Sequence, residues 1–171
     1  MNYKSLIREV PDFPKPGILF YDITTLLKDA TAFQSIIDEL TTKYASANIT
    51  KIVGIESRGF IFGSPLAYRL QAGFVPVRKP GKLPADVYEV KYNLEYGASS
   101  LAIHRDAIVP GERVLVVDDL LATGGTAGAA VHLIQQLGGE IVEVAFLVEL
   151  AFLAGREQLH NCSIHSLITY S

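Results

Sequence analysis

With 171 residues, 49% of them hydrophobic and 19% charged, the chain can fill one ordinary domain that hides about two thirds of the surface its unfolded form exposes. That balance excludes a disordered or fibrous chain, and a formal charge of −3 argues against nonspecific nucleic-acid binding, which needs a clustered basic face. The one cysteine, Cys162, cannot form an internal disulfide, and its neighbours offer no metal-ligand spacing, so it reads as a structural thiol.

In chain order, residues 1–8 hold no apolar stretch of the signal-peptide kind, and a cytoplasmic chain is expected. Apolar residues at 33, 36, 37, 40 and 44 recur at the spacing of one helix face, predicting a packing helix over 32–44. Residues 51–55, Lys-Ile-Val-Gly-Ile, are short and rich in β-branched side chains, as in a buried strand; 59–70 then reads as helix and 74–77 as strand. Between 80 and 103, Gly, Pro, Tyr and charge mix without a helical period, which predicts a mobile loop and hairpin. The apolar run 114–117 is the next strand, followed by a Gly-rich turn, a helix over 127–137 closed by Gly138 and Gly139, and a strand over 141–148. Runs such as 114–117 and 142–150 fall short of the roughly 20 apolar residues of a membrane helix, so no membrane partner is expected. Strands apolar on both faces, alternating with helices, describe an α/β fold with a parallel sheet core flanked by helices. One domain over 1–171 is expected, without repeat or linker.

Most of the chemical information lies in 114–126, Val-Leu-Val-Val-Asp-Asp-Leu-Leu-Ala-Thr-Gly-Gly-Thr. In an open α/β sheet, ligands bind beyond the carboxyl ends of the strands, where a helix N-terminus offers free N–H groups to an anion. Ala122, Thr123, Gly124, Gly125 and Thr126 stand where a phosphate would sit: small residues let the backbone approach, and two hydroxyls add donors. Asp118 and Asp119 beside them would repel a nucleoside di- or triphosphate, yet they accept well from a pair of ribose hydroxyls. A sugar monophosphate satisfies both halves. A P-loop would need a lysine before its Ser/Thr, and a dinucleotide fold its G-x-G-x-x-G directly after the strand; neither occurs here.

This segment resembles the 5-phosphoribosyl-1-diphosphate (PRPP) signature of the type I phosphoribosyltransferases. Residues 13–20 (Phe-Pro-Lys-Pro-Gly-Ile-Leu-Phe), 56–60 (Glu-Ser-Arg-Gly-Phe), 78–84 (Arg-Lys-Pro-Gly-Lys-Leu-Pro) and 94–97 (Leu-Glu-Tyr-Gly) resemble the adenine phosphoribosyltransferase family, in the family's order, over roughly 10–150. The resemblance implies the type I fold with an N-terminal hood over about 1–30 and a flexible catalytic loop. It implies adenine and PRPP as substrates, AMP and diphosphate as products, and a homodimer. Mg²⁺ would arrive on PRPP, with no direct metal ligand in the chain and any contact to Asp118 or Asp119 through water.

For the diphosphate, the resemblance implies Ser57 and Arg58, with a strained or cis peptide at Glu56–Ser57. Arg78, Lys79 and Lys82 form a basic cluster whose glycine and prolines suggest a hinged loop able to close over the leaving group. For adenine, it implies Ile18, Leu19 and Phe20 of the hood, Leu19 reading the N1 and N6 edge and Phe20 stacking on the ring, together with Arg58 and Leu120. Glu95 matches the family's acid near adenine N7, where a protonated carboxyl could donate as N9 attacks. Many family members have arginine just after the hood phenylalanine, where this chain has Tyr21; one anion contact is thereby open.

Two other readings compete. A 6-oxopurine (hypoxanthine or guanine) phosphoribosyltransferase usually has a lysine on the strand after the phosphate helix, but 145–149 reads Ala-Phe-Leu-Val-Glu. A PRPP-sensing regulatory protein without catalysis would usually add a DNA-binding domain or basic face, whereas this chain keeps 78–84 and Glu95. The histidines, His104, His132, His160 and His165, are scattered without ligand spacing.

Overall fold

Five short strands rich in β-branched residues pair into one parallel sheet in the computed structural model, which describes residues 1–94 and 97–171. The chain divides into two compact units, Met1–Lys43 and Tyr44–Ser171.

In the first unit a 3₁₀ turn, Tyr3–Leu6, leads to strands β1 (Arg8–Val10) and β2 (Phe20–Asp22), paired antiparallel, then to the short helix α1 (Thr24–Leu27) and to α2 (Ala30–Tyr44). Tyr3 ties the turn to α2, its hydroxyl lying 2.8 Å from Ser35 Oγ and donating to Glu39 Oε2 at 2.9 Å. The loop between β1 and β2 closes on itself. Asp12 Oδ1 accepts from Gly17 N–H at 2.7 Å, the Phe13–Pro14 bond is cis, and the Phe13 ring meets Phe20 edge-on at 5.1 Å. These three-residue strands carry too few side chains for a period, which is why pattern reading passes over them.

The second unit carries β3 (Lys51–Ile55), α3 (Glu56–Leu70), β4 (Gly73–Val77), β5 (Val87–Leu94), β6 (Gly97–His104), β7 (Arg113–Leu121), α4 (Gly125–Gln136), β8 (Glu140–Leu150) and β9 (Ile164–Tyr170). The sheet runs β4-β3-β7-β8-β9, every pair parallel. From β3 the chain steps one way to β4, and from β7 the opposite way to β8. Because such crossovers are right-handed, α3 and α4 cover opposite faces. The α4 face packs alternate residues of three strands (Val53 and Ile55, Val114 and Val116, Val144 and Phe146) against Ala130, Leu133 and Ile134. Each fully buried aliphatic side chain contributes about 1.5–3 kcal/mol relative to exposure. Burial on both faces requires the continuous apolar runs seen in the sequence.

Most element ends shift by one or two residues from the sequence expectation, and larger differences lie at α3, β7 and β9. Helix α3 begins at Glu56, three residues early, directly from the strand. Strand β7 continues past Val117, because Asp118, Leu120 and Leu121 still pair with Phe146, Val148 and Glu149 of β8. Strand β9 was not anticipated: as a sheet-edge strand with His, Ser and Thr among its residues, it lacks the uninterrupted apolar run. In the region 80–103 the expected hairpin is the antiparallel ribbon β5–β6, while 80–86 has no regular structure. The ribbon packs Tyr88, Val90 and Tyr92 against the α4-side core. No helix among the described residues is long and apolar enough to cross a membrane.

Candidate active site

Where neighbouring strands β3 and β7 send their chains in opposite directions, a crevice opens beyond their carboxyl ends. It holds a cavity of about 500 Å³, the size of a small-molecule site. Its walls come from the start of α3 (Glu56, Ser57 and Arg58), from the end of β7 with the following loop (Asp118 through Ala127), and from Lys79 and the ribbon residues Tyr92, Leu94, Ser99 and Leu101.

On the β7 side, Gly124 takes the left-handed conformation at φ +85° and no side chain caps α4, so the helix presents its first N–H groups beside the cavity. Thr126 Oγ1 donates to the Tyr92 hydroxyl at 3.3 Å, which joins the ribbon to this loop. Immediately before the loop, Asp118 and Asp119 are buried, 9% and 5% exposed. Asp118 Oδ1 accepts from Asp119 N–H at 2.8 Å, and Asp119 Oδ2 faces Arg58 Nε at 3.1 Å. Burial pushes the Asp118 carboxyl well above the ordinary carboxylate range, and the neighbouring Asp119 charge pushes it the same way. The site thus joins an anion-receptive backbone to acceptors for hydroxyl groups.

On the β3 side, Glu56 itself sits at φ +47°, a conformation that strains a residue with a side chain. The Glu56–Ser57 bond is not cis; among the described residues the cis bond is at Phe13–Pro14, and the unusual angle at this corner is φ of Glu56, on the Ile55 side of its Cα. The Glu56 carboxylate accepts the Lys79 backbone N–H and lies 3.6 Å from Arg78 Nη2. Arg78 also stacks over the Phe60 ring at 5.5 Å and pairs its backbone with Ala102.

The structure therefore brings Ser57, Arg58, Lys79, Asp118, Asp119, Leu120, Ala122, Thr123, Gly124, Gly125 and Thr126 to one cavity. Arg78 is held by Glu56 outside its lining, and Lys82 lies on the exposed turn after it. Ile18, Leu19 and Phe20 belong to the first unit, where Ile18 and Leu19 are exposed. Glu95 lies outside the described residues. Sequence reasoning missed Tyr92, Ser99 and Leu101, which reach the cavity only through ribbon pairing, and gave no role to Glu56. The spacing of Glu56 from Arg78 holds no signal; only the fold makes them neighbours.

Among the described residues no three His, Cys, Asp or Glu side chains converge as a metal cage. Asp118 and Asp119 offer hard oxygens on the cavity wall, with one oxygen of each already bonded. That donor set fits a cation that brings most of its ligands on a polyphosphate.

A model of the phosphoribosyl transferase domain matches residues 23–162. The adenine phosphoribosyltransferase of Acidobacterium capsulatum is 63% identical over 168 residues, covering 98% of this chain and 93% of that protein. Among solved structures, the adenine phosphoribosyltransferase of Thermoanaerobacter pseudethanolicus superposes with a TM-score of 0.94 at 54% identity, covering 98% of each chain. That of Saccharomyces cerevisiae, complexed with an imino-altritol bisphosphate and adenine, gives 0.91 at 43% identity over 96% of each.

Proposed function

This chain belongs to the adenine phosphoribosyltransferase family of type I phosphoribosyltransferases, and from that premise we propose how its cavity divides the work of joining adenine to PRPP with release of AMP and diphosphate. Beyond β7, the N–H groups of Thr123 to Thr126 receive the 5-phosphate. Asp118 and Asp119 accept from the ribose hydroxyls, and their carboxyl oxygens face the positive charge that develops on the sugar as the diphosphate departs. Beyond β3, the backbone of Ser57 and Arg58 and the ammonium of Lys79 receive the diphosphate. Lys82 joins them by closure of the turn 79–84, and Arg78 by exchanging Glu56 for the leaving group.

Asp118 and Asp119 would hold, through water, the Mg²⁺ that PRPP brings, and the cation would supply charge neutralisation for the leaving diphosphate. Adenine contacts are assigned by the resemblance to Ile18, Leu19 and Phe20, with Arg58 and Leu120. Proton donation to N7 is assigned to Glu95. Replacing Glu95 with alanine is expected to lower turnover at least tenfold, a loss of about 1.4 kcal/mol, with PRPP binding little changed; an unaltered rate removes Glu95 from the mechanism. A homodimer is also proposed from the resemblance, and one domain over the whole chain and a cytoplasmic location from the reading of the sequence.

The observation that carries the reading is the pairing of two buried acids with an uncapped, glycine-bearing helix start at the strand-order reversal. It favours a sugar monophosphate over a nucleotide triphosphate or a dinucleotide. The test is diphosphate release from PRPP with adenine, hypoxanthine, guanine and orotate supplied separately, with and without Mg²⁺. Release with adenine alone, lost on chelation, is the expected result. Release with hypoxanthine or guanine overturns the base assignment, and none with any base overturns catalysis.

A further inference from the structure

Among the described residues outside the cavity, one carboxylate is buried as deeply as those of the site. Glu149, near the end of β8, is 4% exposed and pairs in register with Leu121 on one side and Thr169 on the other. A carboxylate at such depth is costly unless matched. Arg156 matches it with a fork: Nε donates to Oε1 at 2.6 Å and Nη2 to Oε2 at 2.7 Å. Two parallel charge-assisted bonds fix direction as well as distance. The guanidinium also holds the Glu149 carboxyl below the ordinary carboxylate range.

The fork pins the 3₁₀ turn Gly155–Gln158, which Leu159 anchors from the other side by packing into the α4-side core. This turn lies directly against the loop that follows β7. A Cβ on Gly155 would fall 2.2 Å from the Ala122 carbonyl oxygen, and a Cβ on Gly124 would fall 2.2 Å from the Gly155 carbonyl oxygen. A Cβ on Gly128, in the first turn of α4, would come 3.3 Å from the Gln158 carbonyl oxygen. Two backbones in such contact share one shape. Neither Glu149 nor Arg156 lines the cavity.

We propose that Glu149 and Arg156 are positioning residues for PRPP: their ion pair holds the Gly155 turn as a seat under Ala122–Gly124, so that the loop meets the 5-phosphate already in its binding shape. The inference rests on the reading of residues 122–126 as the 5-phosphate site. The loop needs such a seat because Gly124 is left-handed and no side chain caps the helix that follows. A loop that had to be ordered at each encounter would bind more weakly.

The test is calorimetric titration with ribose 5-phosphate and, separately, inorganic diphosphate, well below each variant's Tm, alongside KM for PRPP and for adenine. Arg156→Ala is expected to weaken ribose 5-phosphate at least about tenfold, to leave diphosphate near its wild-type affinity, and to raise KM for PRPP but not for adenine. Arg156→Lys, which keeps the charge without the fork, recovers part of the loss. Gly155→Ala reproduces the loss without touching the ion pair. Should Arg156→Ala not fold, the double replacement Glu149→Gln with Arg156→Gln removes the buried charge, keeps a hydrogen bond and carries the same expectation. Folded variants that bind ribose 5-phosphate as tightly as the wild type, with only a lowered Tm, overturn the inference. A wild-type protein that does not bind ribose 5-phosphate overturns the phosphate-site reading beneath it.

Discussion

Strands β3 and β7 lie side by side, and each ends at the cavity, but the chain leaves them differently. Beyond β3 it enters α3 at once through a strained Glu56, whose carboxylate is occupied by Arg78 and the Lys79 N–H. Beyond β7 it runs through small residues and a left-handed glycine into a helix without a side-chain cap, with Tyr92 and the Gly155 turn packed alongside. The first end is closed by the protein's own charges. The second keeps its donors for a ligand and takes its rigidity from packing. An anion subsite that must be ready before substrate arrives suits the second design, and one that must release its product suits the first, where an internal carboxylate is paired with Arg78.

The largest effect expected from breaking this contrast is at Gly124. Alanine there puts a methyl group against the Gly155 carbonyl and forces a side chain into a left-handed conformation; about 1–3 kcal/mol of stability and most PRPP capture should be lost. Wild-type KM for PRPP in Gly124→Ala would contradict the rigid-loop account. Next in size is Asp118→Asn. The folded-state pKa of Asp118 is raised, so its ionisation opposes folding as pH rises; that cost shrinks as pH falls below the folded value and is gone only below the ordinary carboxylate range of the unfolded chain. Asparagine should therefore raise Tm by a few degrees at neutral pH, with the difference closing in acid, while PRPP binding weakens about tenfold. Paired thermal melts and PRPP titrations across pH check both signs.

A smaller effect is expected from Glu56→Gln, which keeps an oxygen for the Lys79 N–H but drops the charge facing Arg78. Both side chains are more than a quarter exposed, so water screens the pair and the stability change should be about 0.5 kcal/mol or less. If Glu56 competes with the diphosphate for Arg78, diphosphate should bind more tightly to this variant, by about two- to threefold. Weaker binding would show that Glu56 orients Arg78 toward the leaving group.

Legibility from sequence followed the range of the interactions. Strands β3, β4, β7 and β8 and helices α2, α3 and α4 could be read because each buries a continuous or periodic apolar set. The loop after β7 and its two acids could be read as lining one site because strand end, loop and helix start are contiguous in the chain. The Glu56–Arg78 contact, the Tyr92–Thr126 bond and the Glu149–Arg156 fork were not, since each joins elements whose adjacency exists only after the sheet forms. The continuation of β7 through Asp118 and Asp119 was hidden for a related reason: carboxylates oppose strand propensity, and pairing with β8 overrides it.

The central claim is that the first N–H groups of α4 and the loop before it receive the 5-phosphate. Backbone ¹⁵N amide resonances followed during titration with ribose 5-phosphate test it most directly. Saturable shifts concentrated at Thr123, Gly124, Gly125 and Thr126 are the predicted result; shifts confined to Ser57, Arg58 and residues 79–82, with the β7 loop unmoved, would contradict it.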